Sequence, residues 1–171
     1  MAEGKPLNTT PVDFRVGIGF DAHPLAPDRR LVLGGVNVPY HSGLGGHSDG
    51  DVLVHAIMDA LLGAAGLRDK GAQFPSSDPR YKDISSLLLL STVADLVRGS
   101  GWRISNVDAT MLAQNPRLEP FVETMREQVG AALSIPTERI GIKATTTDYL
   151  GFVGREEGIA ACAVASLITG L

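Results

Sequence analysis

The chain's four histidines, His23, His41, His47 and His55, fall in one short stretch, among acidic residues whose spacing could serve a metal. Asp21-Ala22-His23 reads as the end of a strand. Residues i and i+2 of a strand share a face, so a carboxylate and an imidazole would emerge together at a loop mouth. His55 lies one helical turn from both Asp51 and Asp59, so an otherwise apolar helix carries one polar stripe. Such a stripe is ordinarily a solvent-facing surface. Here its neighbours are apolar and its histidine is flanked by carboxylates. A metal-bound histidine commonly gives its second ring N–H to a carboxylate or carbonyl. Asp21, His23 and His55 would then form a two-histidine, one-carboxylate site with one open position, the catalytic form of a zinc site. Asp59, at i+4 from His55, is expected to be its outer partner.

Two further segments could handle phosphate. Gly43 to Asp51 is glycine-rich and runs into the same helix. A helix N-terminus offers free N–H groups and a positive dipole end, although the segment also reads as an ordinary loop with a good cap. Ser48 and Asp51 have capping-box spacing. Asp49 and Asp51 would repel a bare phosphate, so a metal or oriented backbone must compensate. Lys143-Ala-Thr-Thr-Thr-Asp148 ends a strand with three hydroxyls and a carboxylate. That suits a phosphate and metal contact, and it also suits plain β-propensity. Gly17-Ile-Gly19-Phe-Asp-Ala22 fits a loose dinucleotide fingerprint, but Pro24 and Pro27 follow where a helix would have to start. Cys162, between alanines, reads as a small core residue.

These groups must be carried by a modest scaffold. The chain has 171 residues, 44% of them hydrophobic and only 5% aromatic, so one domain with an aliphatic core is expected. Fifteen basic and nineteen acidic residues give a net charge of −4, which argues against a general nucleic-acid surface. A single cysteine excludes an internal disulfide and points to a reducing compartment. No stretch approaches the ~18 apolar residues that span a bilayer. Residues 1–13 lack the apolar region of a secretory signal and read as a flexible tail before one domain over 14–171. Strands are expected at Arg15–Asp21, Arg103–Leu112 and Arg139–Thr146, with a hairpin around Gly34-Gly35. Helices are expected from about Asp51 to Gly66, from Ile84 to Arg98 closed by Gly99 and Gly101, and from Leu118 to Leu133 ended by Pro136. Gly158–Gly170 is apolar and periodicity does not say strand or helix. Helices on one side of a mixed sheet follow.

Together the motifs Gly19-Phe-Asp-Ala-His23, Leu33-Gly-Gly-Val36, His47-Ser-Asp-Gly-Asp51, Phe74-Pro75 with Asp78-Pro79, Asn106-Val-Asp108, Lys143-Ala-Thr-Thr-Thr147 and Gly154-Arg-Glu-Glu-Gly158 carry a resemblance. In order and spacing the chain, from Phe14 to Leu171, resembles the 2-C-methyl-D-erythritol 2,4-cyclodiphosphate synthase family in its stand-alone form. The resemblance implies a two-layer α/β (α+β) subunit, with three subunits packing their mixed sheets around an axis and active sites between them. It implies cyclisation of 4-diphosphocytidyl-2-C-methyl-D-erythritol 2-phosphate with release of CMP, in the non-mevalonate isoprenoid pathway of the cytoplasm, or of a plastid if a transit peptide has been removed. One zinc ion per site, and magnesium or manganese with substrate, are implied.

Carried over by position, Asp21, His23 and His55 are the zinc ligands, with Ala22 between them at the substrate. His47 and Ser48 hold the phosphate region, His47 as a stabiliser of the transition state. Asp69, Lys70 and Gly71 contact ribose. Phe74, Pro75, Ser76, Ser77 and Asp78 line the methylerythritol pocket. The cytidine pocket comes from the adjacent subunit. Its first wall is Ala113, Gln114, Asn115, Pro116, Arg117, Leu118 and Glu119. Its second is Ala144, Thr145 and Thr146. Thr146 is the second stabiliser, Thr147 and Asp148 follow it, and Asp148 is the second-metal ligand. Phe152 and Arg155 complete the substrate or axis region. The family commonly has Glu at Asp148, Asp at Ser76, Lys at Arg117 and an acidic residue at Cys162. The substrate's own 2-phosphate is the nucleophile, so positioning and charge neutralisation carry the catalysis. A zinc-dependent phosphoesterase using metal-bound hydroxide would fit the same ligands, and a non-enzymatic oligomeric nucleotide binder with structural zinc is a third reading.

Overall fold

The computed structural model describes residues 13–169, so the expected tail over residues 1–13 lies, apart from Asp13, outside it. In chain order the elements are β1 (Phe14–Pro27), β2 (Leu31–Leu33), β3 (Val36–Val38), β4 (Ser42–Leu44), α1 (Val52–Ala65), α2 (Lys70–Gln73), α3 (Ser86–Gly99), β5 (Trp102–Leu112), α4 (Val122–Leu133), β6 (Ile140–Thr145), α5 (Gly151–Gly154) and β7 (Gly158–Thr169). The sheet order is β4-β1-β7-β5-β6, with only β5 and β6 parallel, joined by the α4 crossover; β2 and β3 form a separate hairpin. Helices α1, α3 and α4 pack on one face of the sheet. The mixed α/β architecture expected from the sequence is the one observed.

Side-chain volume fixes how α1 meets β1. A Cβ at Gly17 would lie 2.1 Å from the Ala60 carbonyl oxygen, and one at Gly19 would lie 2.0 Å from that of Ala56. Only glycine lets the helix backbone come this close. The apparent dinucleotide fingerprint is therefore a helix–strand contact, and it brings the α1 turn bearing His55 over Asp21 and His23. The buried core among the described residues is aliphatic, built on Leu31, Leu33, Leu53, Ile57, Leu61, Leu90, Met111 and Met125, with no aromatic side chain.

Several boundaries differ from expectation. β1 does not end at Asp21 but runs through Pro24 to Pro27. Pro24 lacks an N–H, yet its carbonyl accepts from Gly45 N–H at 2.8 Å, and Leu25 N–H reaches Glu157 O at 2.9 Å. Beyond Pro24 the strand exchanges β7 for β4 as its neighbour, Leu25 pairing with Leu44. The cap of α1 is Asp51 rather than Ser48. The first turn of the third expected helix is 3₁₀, over Glu119–Phe121, and α4 closes on a left-handed Ser134 two residues before Pro136. Gly158–Thr169 is a strand, because it pairs on both edges, with β1 and β5. β4 and α2 were not expected.

The second face of β1 is apolar and bare. Phe14, Val16, Ile18 and Phe20 are all more than half exposed, and Val164 of β7 lies beside Ile18.

Candidate metal centre and substrate cavities

Three side-chain atoms converge beneath α1. Asp21 Oδ2 lies 2.9 Å from His23 Nε2 and 2.9 Å from His55 Nδ1, and the two ring nitrogens are 3.2 Å apart. Each histidine's tautomer is set from behind. His23 Nδ1 meets the Gly45 carbonyl oxygen, which can only accept, so Nδ1 carries the proton and Nε2 presents a lone pair. His55 Nε2 lies 3.1 Å from both Ser48 Oγ and Ser86 Oγ. The Ser86 hydroxyl donates to the Asp49 carboxylate, so its oxygen accepts from His55 Nε2–H and leaves Nδ1 as a lone pair. Two imidazole lone pairs and one carboxylate oxygen therefore face a common point, an arrangement that repels itself unless a proton or a cation sits there.

The electrostatics agree. Burial alone pushes the Asp21 carboxyl up, but with a proton in the cation's place its hydrogen bonds to His23 and His55, together with the Lys70 ammonium, hold it well below the ordinary carboxylate range. Burial pulls His23 down, and the Asp21 contact and Gly45 carbonyl more than reverse it. Four-coordinate zinc with bonds of ~2.0–2.1 Å sets neighbouring ligand atoms roughly 3.3 Å apart. The observed separations and the N, N, O donor set fit such an ion. This is the one cluster of three potential ligands among the described residues.

Asp59 takes a different route to the site from the one expected. Its Oδ1 accepts the Lys70 backbone N–H at 2.8 Å and its Oδ2 meets Lys70 Nζ at 3.2 Å. Lys70 Nζ in turn lies 3.3 Å from Asp21 Oδ2. The outer partners of His55 are the hydroxyls of Ser48 and Ser86. Ser86 and Asp49 were missed as supports because 37 residues separate them and no local period links them. Asp51 is wholly buried and works structurally, accepting N–H bonds from Gly34, Gly35 and Val54. The Gly34-Gly35 turn, with both φ positive, thus closes on the start of α1.

A cavity of about 450 Å³ opens in front of the cluster. Asp21, Ala22, His23, His47, Ser48 and His55 form its metal end; Lys70, Gly71, Phe74, Pro75, Ser76 and Ser77 form the opposite wall. Tyr81, which the sequence did not single out, meets Phe74 edge-on at 5.4 Å. Asp69 and Asp78 stand outside this lining: Asp69 caps α2 through Ala72 N–H, and Asp78 pairs with Arg80.

A second cavity, about 300 Å³, is lined by the segment Ala113 to Glu119 together with Ala144, Thr145 and Thr146, and it shares no residue with the first. Arg117 at its rim pairs with Glu119, Nε to Oε2 at 3.0 Å. Asp148 lines neither cavity; it has a left-handed backbone, φ 49°, and accepts from Thr146 Oγ1 at 3.3 Å. Thr147 and Phe152 border a small apolar cavity of about 180 Å³ with Phe20 and Leu112. Arg155 pairs with Glu157 at 2.8 Å. Cys162 is half-buried on the open face of the sheet, opposite Phe20.

The model of the YgbB family matches residues 14–168. This chain belongs to the YgbB family. Its relatives within that family include the 2-C-methyl-D-erythritol 2,4-cyclodiphosphate synthase of Moorella thermoacetica, 57% identical over 155 residues, which are 91% of this chain and 95% of that protein. The synthase of Nostoc sp. is 51% identical over 158 residues, 92% of this chain and 96% of its own length. Among solved structures, the bifunctional IspDF from Campylobacter jejuni superposes with a TM-score of 0.90 at 41% identity, over 94% of this chain and 43% of that one. IspF from Plasmodium falciparum, solved as a CDP complex, gives 0.81 at 30% identity, over 92% of this chain and 97% of its own. The YgbB fold thus accounts for nearly all of the described chain.

Proposed function

We propose that this chain converts 4-diphosphocytidyl-2-C-methyl-D-erythritol 2-phosphate into 2-C-methyl-D-erythritol 2,4-cyclodiphosphate and releases CMP, in isoprenoid precursor synthesis. The observation that carries this reading is a two-histidine, one-carboxylate cluster at the end of one cavity, in a chain whose second cavity is built from the segments expected to hold cytidine. The shared name of the relatives and the CDP complex of the Plasmodium protein support it.

An oxygen of the substrate's 2-phosphate forms a bond to the β-phosphorus. The bond from that phosphorus to the oxygen shared with the α-phosphate breaks, and CMP leaves with that oxygen. No side chain need be a nucleophile, so the protein's task is to bring anionic groups together and hold them in line. Asp21, His23 and His55 would hold zinc, which supplies a Lewis acid for a phosphate oxygen when bound. His47 at the cavity wall and Thr146 at the second cavity would donate to oxygens whose charge grows in the transition state. Lys70, tethered by Asp59, adds a cation beside the phosphates, and Ser76 and Ser77 bound the methylerythritol end.

One chain's two cavities are separate, while the substrate's cytidine and methylerythritol ends must be held at once. A complete site therefore joins the first cavity of one subunit to the second cavity of a neighbour. The bare stripe of Phe14, Val16, Ile18 and Phe20 is the surface on which sheets would pack in a homotrimer. The carboxylate of Asp148 would then reach the second metal, magnesium or manganese, at the joint. Among the described residues no helix is long and apolar enough to cross a membrane.

Product analysis tests the function. Incubation of the zinc- and magnesium-loaded protein with the substrate should give equimolar CMP and cyclic diphosphate by phosphorus NMR. Free orthophosphate with no cyclic product would make the chain a phosphoesterase instead. Asp148→Asn should raise the Mg²⁺ concentration for half-maximal turnover roughly tenfold, since Mg²⁺ is typically held by one or two carboxylates plus substrate phosphates. An unchanged Mg²⁺ dependence would remove Asp148 from the metal's surroundings.

A further inference from the structure

Glu156 occupies a backbone position that favours glycine. Its φ is 58°, in the left-handed region, where a side chain with a Cβ is disfavoured. It has neither the short amide nor the short carboxylate of Asn or Asp, which tolerate that region by bonding locally. What this glutamate makes instead is a long-range bridge. Its Oε2 accepts the Tyr40 hydroxyl at 2.9 Å, across 116 residues of sequence. Its Oε1 accepts Asn115 Nδ2 at 2.9 Å, across 41. The carboxyl is held below its ordinary range by the Asn115 amide and then by the Tyr40 hydroxyl, so it is ionised at neutral pH.

The two partners differ in kind. Tyr40 follows β3, is half-buried, packs against the core and lies on the His41 ring at 4.2 Å. Asn115 stands near the crest of the segment that walls the second cavity. The start of that segment is anchored by Ala113 N–H to Thr145 O at 3.0 Å, and Gln114 Oε1 accepts Tyr149 N–H at 3.2 Å. Farther along, Arg117 pairs with Glu119 inside the segment itself, and Leu118 is buried in the core. Between the anchors at Gln114 and Leu118, the side-chain tie from the segment to the body of the protein runs through Asn115, Glu156 and Tyr40.

We propose that Glu156 is a positioning residue for the second cavity: its carboxylate ties Asn115 to Tyr40 and so holds the wall formed by residues 113–119 in the shape that takes the nucleoside diphosphate end of the substrate. This rests on the reading of that cavity as the cytidine pocket. Glu156 touches no reacting atom, so its contribution is equal in the bound ground state and the transition state. Such binding changes KM and leaves kcat alone.

The test uses the full-length, metal-loaded protein with Glu156→Gly, Glu156→Gln and Tyr40→Phe. Glycine relaxes the backbone and removes the bridge, so the variant should melt no lower than the parent. Its affinity for CDP by calorimetry should fall roughly five- to tenfold, the scale of losing hydrogen bonds to an exposed charged group. KM should rise by the same factor, with kcat within about twofold. Gln keeps one acceptor for Asn115 and can donate to the Tyr40 oxygen, so it should restore most of the affinity. Tyr40→Phe removes half of the bridge without touching the backbone and should fall between. Amide hydrogen exchange across residues 113–119 reads the wall with no ligand present and should quicken in Glu156→Gly. Unchanged exchange in that variant overturns the bridge. Faster exchange with unchanged CDP affinity overturns its role in binding. A parent protein that takes no CDP overturns the cytidine reading, while the exchange measurement still decides the bridge.

Discussion

His55→Ala is expected to empty the metal site and to reduce turnover by more than the ~10–100-fold that follows loss of an outer-shell partner. The imidazole would supply one of the three candidate ligand atoms, and it is the one carried by the helix. Without it, Asp21 and His23 leave a two-ligand site on a single strand. The fold should survive, because His55 borders an open cavity of about 450 Å³ that water can enter. The groups it leaves have other partners: Ser86 Oγ still donates to Asp49, and Ser48 Oγ lies 3.5 Å from Ser86 Oγ. Elemental analysis should show zinc well below one ion per chain, while the thermal midpoint of the metal-free variant should match that of the metal-free parent. Full zinc with near-normal turnover would remove His55 from the ligand set.

The reasons this cluster could be read in advance are local and periodic. Asp21 and His23 share a face because strands repeat every two residues, and the 3.6-residue repeat puts Asp59 one turn from His55 on α1, whereas Asp51, expected in the same stripe, is the buried cap of that helix. What the period could not give is the partner across space. It placed Asp59 beside His55, yet the Asp59 carboxylate finds the Lys70 N–H and ammonium instead, and His55 turns its other nitrogen to Ser48 and Ser86. The end of β1 was misplaced for a similar reason. Two prolines argue against a helix, but in a strand they remove only donors, and β4 and β7 supply the pairing that carries the chain to Pro27. The character of Gly158–Thr169 was likewise undecidable from a run of small apolar residues, because its strand state comes from neighbours on both edges. Gly17 and Gly19 show the reverse case. Their spacing was visible, and the chemistry it hinted at was wrong, since the space they free is filled by α1 rather than by a ligand.

The largest loss of stability is expected from Asp51→Ala, at a residue that touches no substrate cavity. Its carboxylate is completely buried, and burial together with the nearby Asp49 charge pushes it up to about 6 against the pull of three N–H groups. At neutral pH it is the acceptor that closes two structures at once. Oδ1 takes Val54 N–H at 3.1 Å, the capping bond of α1, and Gly34 N–H at 3.0 Å, while Oδ2 takes Gly35 N–H at 2.7 Å. Alanine removes a cap, costing ~0.5–2 kcal/mol. It also strands the buried Gly34 N–H and the part-buried Gly35 N–H, at up to ~1–3 kcal/mol each. Together these come to ~2.5–8 kcal/mol, a large part of the ~5–15 kcal/mol that holds a domain together. Asparagine separates the two contributions. Its single oxygen can keep the Val54 and Gly34 bonds, but its NH₂ must face the Gly35 N–H, donor against donor, so roughly half the loss should remain. Denaturant titration at pH 7 reads both variants. An alanine variant within ~1 kcal/mol of the parent would mean that water replaces the carboxylate beneath the turn, and that the hairpin and α1 are not joined through Asp51.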